Sequence, residues 1–133
     1  MGWLIDTNIA IRLRDGDGAI SHRMRDLEVR PSLSIISHVE LENGVCAQPA
    51  HAGARRAAVD LILANLTIHP FEADALAAYR SILAAVGYSR PRVADRMIAA
   101  TAIAHDLTLL TMNGRDFRDI PGLRLEEWQA AAG

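Results

Sequence analysis

Four acidic residues stand beside signals that carry each of them toward one end of a sheet. They are Asp6 in Leu4-Ile5-Asp6-Thr7-Asn8, Glu40 in Ser37-His38-Val39-Glu40-Leu41, Asp95 in Asp95-Arg96-Met97-Ile98, and Asp116 in Asn113-Gly114-Arg115-Asp116-Phe117. Carboxylates repel one another, so a cluster of them is costly unless a cation sits between them. Oxygen donors without a Cys/His set suit Mg²⁺ or Mn²⁺ rather than zinc. The five histidines show no metal-ligand spacing such as HExxH, and His38, His51 and His105 are expected at the surface or in packing roles. The chemistry that fits a hard divalent ion among carboxylates is in-line hydrolysis of a phosphodiester.

The elements that must position these acids alternate between short apolar runs and amphipathic stretches. Trp3-Leu4-Ile5 reads as a buried strand stopping at Asp6, with Thr7-Asn8 as the cap of a short helix. Ala19 to Leu27 is a second short helix, and Leu33-Ser34-Ile35-Ile36 a second strand. Ser37 with Glu40 matches the capping-box pattern, which predicts a helix with Val39, Leu41 and Val45 facing the core and Pro49 as its limit. Ala54 to Leu66 is a helix, Thr67 to Pro70 a strand, and Phe71 to Val86 a helix with Ala75, Leu76, Tyr79, Ile82, Leu83 and Val86 at helical spacing, ended by Gly87. Val93 to His105 is a helix, Leu107 to Thr111 a strand, and Leu123-Arg124-Leu125 a final short strand. Strands alternating with helices predict an α/β fold, a central parallel sheet flanked by helices, in one domain over residues 1–133.

In such sheets ligands bind beyond the carboxyl ends of the strands. Asp6 follows the first strand, Glu40 is placed in the first turn after the second, and Asn113 and Asp116 follow the strand ending at Thr111. Asp95 opens a helix, where the dipole favours an anion. Each acid also has an ordinary role: Asp6 as a helix cap, Glu40 as half of a capping box, Asp95 as a dipole complement, Asp116 as a solvated loop residue. Four acids at one edge are harder to explain that way.

All 14 basic residues are arginine. The absence of lysine excludes a P-loop lysine, a Schiff-base lysine and the lysine of haloacid-dehalogenase-like phosphatases, whose strand-end Asp-x-Asp is also missing from Asp6-Thr7-Asn8. Arginine favours bidentate phosphate contacts. A net charge of −2 does not advertise nucleic-acid binding, although grouped arginines can still supply it. One cysteine, Cys46, rules out an intrachain disulfide and is expected to be a small buried hydrophobe. No apolar stretch approaches the ~20 residues of a membrane span and no signal peptide is evident, so the expected location is cytoplasmic, with no membrane partner.

At Leu4 to Asn8, Val39 to Gly44, Asp95 to Ala102, and Leu110 to Phe117 followed by Ile120-Pro121-Gly122-Leu123, the chain resembles the PIN-domain family, and within it the VapC toxin ribonucleases of bacterial toxin–antitoxin pairs. The resemblance covers nearly the whole chain. It implies a PIN fold and a Mg²⁺-dependent endoribonuclease, with Mn²⁺ as a substitute. By resemblance Asp6 and Asp95 are core metal ligands, and Glu40 orients water or binds metal. The fourth position falls to Asp116 or Asn113, because some relatives carry an acid where this chain has Asn113. Thr7, Asn8, Thr111 and Asn113 are then expected to hydrogen-bond the acids, and Arg92 and Arg115 to contact RNA phosphates at the rim. The implied partners are an RNA substrate, a cognate antitoxin protein and a second copy of the chain in a homodimer. The other readings are a PIN-like binding module without activity and an acidic-site phosphatase.

Overall fold

In a computed structural model, which describes residues 2–129, five short strands form one parallel sheet. They are β1 (Gly2–Ile5), β2 (Ser32–Ser34), β3 (Thr67–His69), β4 (Leu107–Thr111) and β5 (Arg124–Glu127), in the spatial order β3-β2-β1-β4-β5. Six helices connect them: α1 (Thr7–Arg14), α2 (Gly18–Arg25), α3 (Ile35–Ala47), α4 (Ala52–Asn65), α5 (Ala73–Val86) and α6 (Val93–Ala104). None is long and apolar enough to cross a membrane among the described residues.

The register explains why the central strands are so apolar. Ile5 pairs with Leu33 on one side and Leu110 on the other, and Leu4 with Ser32 and Leu109. Successive side chains of a strand point to opposite faces. Ile5, Leu33 and Leu110 pack with Ile9 and Ala10 of α1, Leu41 and Val45 of α3, Val59 of α4, and Trp128. Leu4 and Leu109 pack on the other face with Ile82 of α5, Ile98, Ala99, Ala100 and Ala102 of α6, and Phe117. A parallel sheet covered on both faces needs apolar runs rather than alternation.

The strand order reverses between β1 and β4: from β1 the chain builds outward through β2 and β3, then returns to add β4 and β5 on the opposite side. That reversal is the switch point at which open α/β sheets place ligands.

Several local expectations change. The strand expected over Leu33–Ile36 ends at Ser34, and α3 begins at Ile35. Ser34, not Ser37, is the N-cap, its Oγ accepting from the Ile36 N–H at 3.0 Å. Glu40 therefore sits in the second turn of α3, and no capping box forms. Ser37, Leu41 and Val45 form the buried stripe of α3. Val39 is 52% exposed, because two positions along a helix turn a side chain some 200° from Leu41. Cys46, next to Val45 but off the stripe, is exposed rather than buried. Asp6, rather than Thr7-Asn8, caps α1. In α5, Ala75 and Ile82 are buried while Leu76 is half exposed, and Gly87, with φ 79°, closes the helix by donating to the Leu83 carbonyl at 2.9 Å.

Candidate metal centre

Asp6 stands at the switch point. Its backbone N–H extends the ladder to the Leu110 carbonyl at 2.8 Å, which sets the residue level with the end of β4. The side chain turns up to cap α1, with Oδ1 accepting from the Thr7 N–H at 2.7 Å. Oδ2 accepts from the Thr111 hydroxyl at 2.8 Å. The residue is only 4% exposed.

Thr111 is saturated. Its Oγ1 gives its one proton to Asp6 and accepts from the Asn113 N–H at 3.0 Å and Asn8 Nδ2 at 3.4 Å. A hydroxyl has one donor and two acceptor positions, and all three are used. Asn8 Oδ1 in turn accepts from the Met112 N–H at 3.3 Å, tying the first turn of α1 to the chain leaving β4.

On the other side of Asp6, Thr7 Oγ1 donates to Glu40 Oε1 at 2.6 Å and lies 2.8 Å from Ser37 Oγ. This triad fixes α3 against α1 and holds one carboxylate oxygen of Glu40. The neighbouring acid Glu42 is engaged elsewhere, with Arg56 donating to both its oxygens at 2.8 and 2.7 Å. Ser37 is a positioning residue that sequence reading took for a cap. The signal for its true role was a serine on the Leu41–Val45 stripe.

Asp95 lies in the first turn of α6. The next residue, Arg96, is buried and donates through Nη1 to the Gly87 carbonyl, pinning the end of α5 against the start of α6. Arg96 was not anticipated, since a buried arginine at a helix start carries no sequence signal.

Electrostatic repulsion links the four acids pairwise. The Asp6 carboxyl is pushed up to about 6, first by burial, with repulsion from Asp95 and Glu40 adding to it and the bonds from Thr111 and Thr7 opposing it. Asp95 is likewise pushed up to about 6, by burial, then by Asp116 and Glu40, with Arg92 opposing. Asp95 thus couples to all three others. Asp116 stands at the outer end, with Asn113 Nδ2 donating to its Oδ2 and Arg92 Nη1 lying 3.6 Å from its Oδ1. Arg92 is turned inward onto Asp116, whereas Arg115 is exposed. Arg118 is paired with Glu127 at 2.7 Å.

The donor set fits a hard divalent cation. It is all oxygen, and its two innermost carboxyls resist ionisation first because they are buried and then because neighbouring acids repel them. Among the described residues no group of three or more Asp, Glu, His or Cys side chains is placed to hold a metal ion between them. Mg²⁺ does not need one, since it keeps several waters and takes one or two carboxylates. The histidines lie elsewhere: His38 is 3.7 Å from Glu42, and His105 stacks on His69 with ring centroids 4.2 Å apart.

Comparison with known proteins bears on the family. A family model described as PIN domain matches residues 3–123. Ribonuclease VapC1 of Rickettsia felis is 32% identical over 131 residues, covering 94% of this chain and 95% of that protein. Among solved structures, VapBC2 from Rickettsia felis bound to a DNA fragment from its promoter matches with a TM-score of 0.87 at 27% identity, covering 97% of this chain and 100% of the other. DNA-bound VapBC from Salmonella typhimurium matches with a TM-score of 0.85, also at 27% identity, covering 96% and 98%. The matched region spans both sides of the switch point and all four acids, and on that ground the chain belongs to the PIN domain family, with a VapC ribonuclease among its relatives.

Proposed function

We propose that this chain is a metal-dependent endoribonuclease, the toxin of a VapBC-like pair, and that Mg²⁺ is its working ion. The observation that carries the reading is the coupling of Asp95 to Asp6, Glu40 and Asp116 at the switch point of a parallel sheet. A relative 32% identical along nearly the whole chain is named a ribonuclease, which supports RNA as the substrate.

Asp6 and Asp95 would hold the ion. When bound, it supplies Lewis-acid activation of the phosphoryl group and of the attacking water, the contributions that in-line phosphodiester hydrolysis requires. Thr111 keeps Asp6 ionised and aimed by donating to Oδ2. Thr7 holds Glu40 through Oε1, leaving Oε2 to take a proton from the attacking water. Asn8 and Asn113 fix the Thr111 hydroxyl. Exposed Arg115 offers its guanidinium to a backbone phosphate at the rim.

The partner is proposed to be an antitoxin, as in the VapBC complexes among the solved relatives. An apolar cleft between α1, α2 and α4, lined by Leu13, Met24, Leu61, Ile62 and Leu66, is the surface assigned to it. Leu61 is 67% exposed there and adjoins Leu13, Met24 and Leu66, so the cleft offers contiguous apolar surface to a partner. The cytoplasm, where the proposed RNA substrate is found, is the compartment this reading assigns to the protein.

The test is cleavage of a synthetic single-stranded RNA by the purified protein. Discrete fragments are expected with Mg²⁺, none with EDTA, and none from Asp6→Asn with Mg²⁺. Hydrolysis of p-nitrophenyl phosphate with intact RNA would instead favour the phosphatase reading.

A further inference from the structure

We infer that Tyr88 is a stacking platform for one base of a single-stranded RNA, and that Arg90 beside it meets an adjoining phosphate. The inference rests on the reading of RNA as the substrate and deepens it by naming where a nucleotide is held apart from the acids.

Five of the six aromatic side chains are engaged within the chain. Trp3, Phe117 and Trp128 pack into the apolar layers on the two faces of the sheet, and Phe71 meets Tyr79 edge to face with ring centroids 6.4 Å apart. Tyr88 is the sixth. It is 71% exposed, joins neither apolar layer, and makes no hydrogen bond or ring contact among the described residues. A lone exposed aromatic needs no explanation by itself. This one stands in the segment that leads from α5 to Asp95 in the first turn of α6.

The backbone there is fixed. The Gly87 carbonyl accepts from buried Arg96, the residue after Asp95. The Ser89 carbonyl accepts from the Arg92 N–H at 3.1 Å, and Pro91 restricts the turn that follows. Tyr88 is thus held between two pinned neighbours. A ring presented on a rigid backbone loses little freedom when a base stacks on it.

The charge around the ring suits phosphate. From residue 75 to residue 94 the chain carries no acid, and its charges are Arg80, Arg90 and Arg92. Arg90 is exposed and, among the described residues, has no hydrogen bond or ion pair. Arg92 Nη1 donates to the Asp116 carbonyl at 3.1 Å, which sets the turn Arg90–Arg92 against the turn Gly114–Asp116 with its exposed Arg115. A π face beside exposed guanidiniums is what single-stranded nucleic acid binds: the base stacks on the ring and the phosphates meet the arginines. Gly87 to Arg92 carries no aliphatic side chain other than Pro91, so a protein partner would find little apolar surface around the ring.

The experiment is steady-state cleavage of a synthetic single-stranded RNA in Mg²⁺, with KM and kcat measured separately. Loss of one stack is expected to raise the KM of Tyr88→Leu by about 5- to 150-fold with kcat unchanged. Tyr88→Phe keeps the ring and is expected to match wild type. Arg90→Gln is expected to raise KM at low salt and to lose most of that effect at high salt, where a phosphate contact is screened, while the Tyr88→Leu effect persists. An unchanged KM in Tyr88→Leu, or an equal loss in Tyr88→Phe, overturns the platform, and so does a Tyr88→Leu defect confined to antitoxin binding. An unchanged KM in Arg90→Gln at low salt overturns the phosphate contact. RNA left intact by wild type overturns the RNA reading itself and the inference with it.

Discussion

The Thr111 hydroxyl donates its only proton to Asp6 Oδ2 at 2.8 Å, across the point where the strand order reverses between β1 and β4. The bond links the two central strands through the carboxylate that the proposed metal site depends on. It works against the burial that pushes the Asp6 carboxyl up to about 6.

Thr111→Val keeps the shape and removes this donor. A hydrogen bond to a charged group contributes roughly 1.5–3 kcal/mol, and losses of this kind around a metal ligand cost about 10–100-fold in affinity. Mn²⁺ affinity measured by calorimetry is expected to fall within that range for Thr111→Val and to recover in Thr111→Ser. Equal affinity in all three proteins would show that Thr111 serves packing alone.

The metal-free protein should lose stability as pH rises. Asp6 titrates near 6 in the fold and near its ordinary 3.8 in the unfolded chain, so between those values the folded state binds more protons. Its contribution is fully present below about pH 4 and is lost as pH passes through 6, by an amount on the order of 3 kcal/mol. Asp6→Asn removes the charge while keeping a good N-cap. Urea titrations from pH 4 to 8 are expected to show a smaller decline in Asp6→Asn, and greater stability than wild type at pH 7. A variant clearly less stable than wild type at pH 7 would mean that the carboxylate serves chiefly as a cap.

Sequence reading located the strand ends well because the central strands are apolar on both faces and stop abruptly at polar residues, Asp6 and Thr111. It set Asp6 at the end of β1 and Asp95 at the start of a helix, where the structure has them. The α3 boundary failed because Ile35 and Ile36 continue a β-branched run, and Ser34 and Ser37 are both competent caps. Tertiary structure decides between them: Ser37 is needed facing Thr7, so Ser34 takes the cap. The pairing of Arg92 with Asp116, 24 residues apart, follows from the fold and has no local signature.

Trp128 closes the sheet from beyond β5. Its N–H donates to the Thr111 carbonyl at 2.8 Å, its indole N–H to Glu126 Oε2 at 2.9 Å, and Arg23 stacks 4.5 Å above the ring. The side chain is buried among Ile9, Ile20 and Leu110. Trp128→Ala is expected to cost about 3–5 kcal/mol in denaturant unfolding. A loss below about 1 kcal/mol would contradict this packing.

Leu61 separates partner binding from catalysis. Leu61→Glu puts a charge into the apolar cleft, which none of the four acids lines. RNA cleavage by the isolated chain is expected to be unchanged, while affinity for the proposed antitoxin partner should fall by at least ~30-fold, the size of an interface hot spot. Unchanged affinity would remove the cleft as the docking surface.

The central claim is that Asp95, coupled to the other three acids, holds the ion that cleaves RNA. The most direct measurement is the single-turnover rate of RNA cleavage by Asp95→Asn in saturating Mg²⁺, beside a circular dichroism spectrum showing the fold intact. A fall of more than the roughly 10–100-fold typical of losses around a ligand is expected. Cleavage within a few-fold of wild type would contradict the account.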